Sequence, residues 1–200
     1  MTHIETLKKL MSELGERKGL VDFYLEEVQS LPKENMIVRI CDFDDTLFSR
    51  EEQVSEKRLA ENRGASGIHL IVDEIGVHDF IDTYYRGHDF PRDIFNLLDE
   101  ETDLIMTAGL RELQYMKTEA VGLLDFPTTV VYDGKDKILE TLRYIVFELW
   151  YIPAEIIIYE DRPQHFIEFR ELIEWILGCK LTIMLVEMDG NRGYKKIEEL

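Results

Sequence analysis

Basic charge is what this chain is shortest of: 23 lysines and arginines stand against 41 aspartates and glutamates in 200 residues, for a formal net charge of -18. A protein that follows a nucleic-acid backbone carries a clustered basic stripe. Here the cations are scattered singly or in pairs, as at Lys8 and Lys9, Lys57 and Arg58, Lys195 and Lys196. Extended duplex binding is therefore not expected, although a local cluster around one terminal phosphate is compatible with the count. Cysteine is scarce as well. Cys41 lies within an apolar run and Cys179 at a helix-to-strand turn, so both read as buried thiols rather than a bridge, which suits a reducing cytoplasm. No apolar stretch is long enough to span a bilayer, so no membrane partner is expected. The opening MTHIETLKKL has neither the apolar core nor the small-residue cleavage site of a secretory signal. The kinase phosphate loop G-x-x-x-x-G-K-[ST] is also missing, which excludes a fused kinase from this chain. What remains is a soluble, cytoplasmic chain whose 45% hydrophobic content suffices for one core with a modest insertion.

The most informative segment that is present is MIVRICDFDDTLF, residues 36–48. It reads as a buried strand delivering Asp42 and Asp44 at its end. Strand side chains alternate, so residues two apart share a face and the two carboxylates are expected to converge on one reacting group. Like charges placed together at the end of an apolar strand are costly unless a cation or a dense hydrogen-bond network offsets them. A divalent metal is the natural candidate.

Further apolar strands are predicted near 103–107, 128–132, 155–160 and 181–188, alternating with helical patterns around 91–101, 110–120, 137–151 and 163–177. Strand alternating with helix implies a parallel sheet. In such a sheet ligands bind beyond the carboxyl ends of the strands, near the point where strand order reverses. Asp42, Thr107 and Asp161 all fall at strand ends.

The string Asp42, Asp44 and Thr46, spaced D-x-D-x-T after an apolar strand, resembles the first motif of the haloacid dehalogenase superfamily of phosphohydrolases. Three later stations follow in the order that family requires: DLIMTAGL ending a strand at Thr107, VVYDGKDKILETL with Lys137 opening a helix, and EIIIYEDRPQHF ending in Glu160 and Asp161. The resemblance covers about residues 36–188. It implies a Rossmann-like three-layer α/β sandwich with a mainly parallel sheet and a small helical cap. The first strand would be central, flanked by those ending at Thr107 and Asp161. The implied layout is an N-terminal helical extension at 1–35, a core at 36–48 and 99–200, and a cap insertion at 49–98, where His69, His78, Arg86 and His88 are the polar candidates for substrate contact.

The activity so implied is hydrolysis of a small phosphomonoester. Asp42 would attack phosphorus to form an aspartyl-phosphate, and Asp44 would protonate the leaving oxygen and then activate water. Asp45 is excluded as nucleophile, because alternation points it away from Asp42. Mg2+ would be held by the Asp42 carboxylate, the Asp44 carbonyl, Asp161 and water. Thr107 and Lys137 would orient and neutralise the phosphoryl group, with Lys135 a rival for that lysine, and Gly109 would keep the loop backbone close to the ligand. The last motif departs from the commonest form, which places a second aspartate four residues after the first; His165 stands there instead. Either Glu160 replaces that acid at the metal, or His165 tunes Asp161 from outside. Tyr159 to Arg162 with His165 is similar to the variant in phosphatase domains associated with RNA repair, and to the phosphatase half of phage polynucleotide kinase-phosphatases. Arg162 would then clamp a second phosphate or terminal nucleotide, so a nucleic-acid 3'-end phosphatase is the sharper alternative. A non-catalytic binding or regulatory module is the third.

Overall fold

The computed structural model describes residues 5, 9, 19–49, 65–190 and 192–200. One six-stranded sheet organises them. Its strands are β1 Lys33–Cys41, β2 Leu104–Ala108, β3 Thr128–Val131, β4 Ile152–Glu160, β5 Lys180–Met188 and β6 Tyr194–Glu199, arranged in space as β3-β2-β1-β4-β5-β6. All neighbouring pairs are parallel except β5 with β6. β1 is thus flanked by β2 on one side and β4 on the other, as the resemblance led one to expect.

Alternation along the strands builds two cores, one on each face. Val38, Ile40, Leu104, Met106, Ile156, Ile158, Leu181 and Ile183 pack against one set of helices. These are α1 Gly19–Ser30, α5 Asp136–Arg143 with its π-helical continuation Tyr144–Leu149, and α6 Gln164–Leu177. On the opposite face Cys41, Ile105 and Tyr159 meet α2 Ala65–Ile75, α3 Val77–Tyr84 and α4 Arg111–Ala120. The result is an α/β sandwich of Rossmann-like kind, its interior strands buried on both faces as parallel strands require. Each fully buried Ile or Leu contributes about 1.5–3 kcal/mol.

Several expected elements are redrawn. The pattern at 91–101 forms no α-helix; a 3-10 turn, Phe95–Leu97, is all that winds there, directly after Phe90 and Ile94, whose burial in the core fixes the chain that leads into it. The predicted helix 137–151 begins at Asp136 and changes to π-winding at Tyr144, ending where Trp150 turns left-handed at φ 60°. β1 starts at Lys33, inside the span assigned to an N-terminal extension, and Leu25 and Val28 of α1 pack on the core. Of the expected N-terminal helical extension, residues 1–18 lie outside the described residues apart from Glu5 and Lys9. Of the predicted cap, residues 50–64 are likewise outside. Its remainder does not stand apart from the body: Phe80, Ile81 and Tyr85 share a core with Phe43 and Phe48, and the Phe48 and Tyr85 rings stack 5.0 Å apart. Among the described residues no helix is long and apolar enough to cross a membrane.

Candidate active site

The strand that carries the acidic pair ends one residue before it. Beyond Cys41 the chain folds into a tight turn in which the Phe43 carbonyl accepts from the backbone N–H of Leu47 and of Phe48, both at 3.0 Å, and Asp45 N–H donates to Phe48 O at 2.7 Å. Asp45 takes the left-handed conformation, φ 62°, which aspartate tolerates better than most side chains. Phe43, Leu47 and Phe48 are fully buried and pin this turn into the core. The expectation that strand alternation puts Asp42 and Asp44 on one face is therefore corrected, since it is the turn that brings both to the same cleft. Asp45 lines that cleft too, so alternation does not remove it.

The cleft has a volume of about 560 Å³ and opens at the carboxyl ends of β1, β2 and β4. It is lined by Asp42, Asp44, Thr107, Gly109, Lys137, Glu160, Asp161 and Arg162, the residues to which the sequence assigned phosphoryl or metal contacts. Lys137 sits on the first turn of α5 and is 5% exposed; its ammonium donates to Asp42 Oδ1 at 2.8 Å and to Glu160 Oε2 at 2.6 Å. Lys135 is exposed and does not line the cleft. Of the four polar candidates between residues 49 and 98, His69 alone lines it; Arg86 pairs with Asp82 and the His88 ring lies 3.1 Å from Thr83 O. Cys41 and Cys179 are free thiols.

Electrostatics here is dominated by burial. Desolvation raises Asp42 above the ordinary carboxylate range, although the Lys137 ammonium works against it. Glu160 is pushed up to about 8, by burial first and by the Asp42 charge second. Lys137 is opposed by burial, yet the two carboxylates outweigh it and hold the ammonium well above its usual range. One cation shared between two buried acids leaves negative charge in excess. Asp161 adds to it: oxygens of Asp42, Glu160 and Asp161 all lie within 4.8 Å of one another, a hard, all-oxygen donor set that fits a divalent cation such as Mg2+. Glu160 is one of the three residues of this donor set, and His165 is not. His165 lines the cleft beside Gly134, where an added Cβ would stand 3.2 Å from its ring. Arg162 is 76% exposed at the side chain, and its Nε lies 3.2 Å from Asp161.

Around Asp44 stands a group of residues that sequence reasoning passed over. Lys117 donates to Asp44 Oδ2 at 2.8 Å, Gln114 Nε2 approaches the same oxygen at 3.4 Å, and the Tyr85 hydroxyl approaches Oδ1 at 3.5 Å. A lysine in the middle of a helix reads as solvated; the available signal was that Leu113, Gln114 and Lys117 share one face of α4. Gly109 acquires a second role from this group. With φ 138°, a Cβ there would meet Gln114 Nε2 at 2.9 Å, so a side chain would displace the amide. No protein-family model, no curated protein and no solved structure matches the chain.

Proposed function

We propose that this protein is a Mg2+-dependent phosphomonoester hydrolase of the haloacid dehalogenase type, working through an aspartyl-phosphate on Asp42. The observation that carries this reading is the meeting of Asp42, Thr107, Lys137, Glu160 and Asp161 in one cleft at three strand ends. In the first half-reaction a carboxylate oxygen of Asp42 bonds to phosphorus as the ester P–O bond breaks, and Asp44 gives its proton to the leaving oxygen. In the second, Asp44 takes a proton from water as that water attacks phosphorus, releasing phosphate and restoring Asp42. Thr107 and Lys137 orient the phosphoryl group and offset its charge. Asp42, Glu160 and Asp161 would hold Mg2+, with the Asp44 carbonyl as a further ligand, and the ion supplies charge neutralisation to the transferring oxygens.

A small ester is the substrate class favoured. Arg162, the residue that suggested a nucleic-acid 3' end, has its guanidinium beside Asp161, and the surface charge of -18 repels polyanions. A purely binding module has no use for two acids each paired with a buried lysine. The test is Mg2+-dependent phosphate release from an aryl phosphate, a panel of metabolite monoesters and a 3'-phosphorylated oligonucleotide. Activity confined to small esters is expected; strong preference for the oligonucleotide would establish end repair, and silence on all of them would favour the binding module.

A further inference from the structure

β6 ends the sheet on one side, and among the described residues no strand lies beyond it. Lys195 to Glu199 are all exposed. An open strand edge invites another strand, and charged side chains are a common protection against that. Here the charges are ordered, as Lys195, Lys196, Ile197, Glu198 and Glu199, with the two signs balanced in a chain whose net charge is -18. Read in reverse, the string has acids where it had bases, so in the antiparallel direction it is complementary to itself about Ile197. The hydrogen bonds of the sheet decide which residues are able to face a partner. Across β6 and β5, Lys196 stands opposite Glu187, Ile197 opposite Val186, Glu198 opposite Leu185 and Glu199 opposite Met184. In the same register Leu200 N–H donates to Ile183 O at 2.9 Å. Bonded and unbonded pairs alternate along an antiparallel ladder, so Lys196 and Glu198 turn their N–H and C=O groups toward β5, while Ile197 and Glu199 turn theirs to the open edge.

We propose that β6 is a self-recognition edge: two copies of this chain pair antiparallel through β6, centred on Ile197, and join their sheets across a two-fold axis. In that register Ile197 exchanges both hydrogen bonds with Ile197 of the second copy through groups that already point outward. Lys196 then faces Glu198 of the second copy, and the axis repeats the pair. Lys196 and Glu198 also touch within their own strand, so the four charges form a ring of alternating sign. The neighbouring registers that use the outward groups place Lys196 against Lys196 or Glu198 against Glu198, like charges directly opposite, and are disfavoured. Lys195 lies at the irregularity of the β5–β6 ladder and beside Asp189, at 3.5 Å, so it contributes at the margin of the pairing. An interface of this kind uses the same strand on both copies and closes at two. No residue of β5 or β6 lines the cleft, so the pairing leaves the lining of each cleft as it is.

The experiment is sedimentation velocity of the full chain over a range of concentrations, for wild type, Lys196→Glu, Glu198→Lys, the double exchange and Ile197→Pro, each first checked for folding by circular dichroism. Wild type is expected to pass from monomer to dimer as concentration rises. Each single reversal should raise the dimer dissociation constant about tenfold or more, because it sets like charges opposite one another at two places. The double exchange should bring it back to within about threefold of wild type, the coupling that a direct pair requires. Ile197→Pro removes an N–H that β5 does not use; it should abolish the dimer, and it carries the test if the charge variants misfold. A wild type that stays monomeric at millimolar concentration overturns the proposal and returns β6 to the charge-protected edge of a monomer. A dimer that these variants leave unchanged, or a folded double exchange that restores nothing, overturns it as well. Hydrogen exchange adds a separate readout: the Ile197 and Glu199 amides should become protected as concentration rises, whereas full protection in the dilute monomer would show that another part of this chain holds the edge, contrary to the proposal.

Discussion

Two buried acidic centres lie along the carboxyl half of β1, one level with Arg39 and one just beyond Cys41, and they are satisfied differently. Asp103, fully buried just before β2, accepts from Arg39 N–H at 2.6 Å, Asp99 N–H at 2.9 Å and Arg39 Nη1 at 3.4 Å. Its two oxygens are supplied by donors of the protein itself, and they tie the start of β2 to β1. At the carboxyl end, Asp42 and Glu160 share the single ammonium of Lys137, with Asp161 close by. The first centre is closed, a structural staple; the second is short of positive charge and is the one able to take a cation. Burial of carboxylates alone does not mark a functional site. A shortage of donors around them does.

The comparison can be broken most severely at Asp42. Asp42→Asn should fold normally and lose turnover by about 10³-fold or more, since the proposed nucleophile is gone; circular dichroism and phosphate release check both halves, and residual activity within about tenfold of wild type would contradict it. At the closed centre the expected loss is of stability instead. Asp103→Ala leaves Arg39 without its buried partner and should cost about 3 kcal/mol by denaturant unfolding, with the Mg2+ titration unchanged.

Metal addition sharpens the contrast further. Mg2+ at about 100 times its Kd should stabilise the protein by about 2.7 kcal/mol, an effect expected to vanish in Asp161→Asn and to persist in a variant at Asp103. A persistent Mg2+ effect in Asp161→Asn would point to Glu160 and Asp42 as sufficient. The remaining contrast is in pH dependence. Glu160 is raised in the folded state, to about 8 from an ordinary 4.5, so the folded protein binds the extra proton. Its contribution to stability is therefore full below about 4.5 and declines as pH rises toward about 8. Metal-free Glu160→Gln should lack this decline, and parallel stability profiles for the two proteins would show that Glu160 does not carry it.

Much of the sheet was legible because parallel strands buried on both faces appear as continuous apolar runs, as in MIVRIC and EIIIY. β6 was not: YKKIEE is exposed along nearly its whole length and owes its conformation to antiparallel pairing with β5, a tertiary cause invisible in its residues. Pro153 hid the first part of β4, being tolerated there because it pairs with Glu34 beside a register shift, ahead of the point where β5 joins β4. The spacing of Ile68, Ile71, Val72 and Ile75 is helical, as α2 is. At the site, residues delivered by strand ends could be read from the sequence, since each ends an apolar run. Lys117, Gln114 and Tyr85 could not, because only the packing of α4 and α3 against the Phe43–Phe48 turn turns a helix face toward Asp44.

The central claim is that Asp42 becomes phosphorylated during turnover. Rapid acid quenching of the protein turning over a small phosphomonoester with Mg2+, followed by peptide mapping in the mass spectrometer, tests it directly. The account predicts a phosphoryl group on the Asp42 side chain, absent in Asp42→Asn. Turnover that leaves Asp42 unmodified, or places the phosphoryl group on another residue, would contradict it.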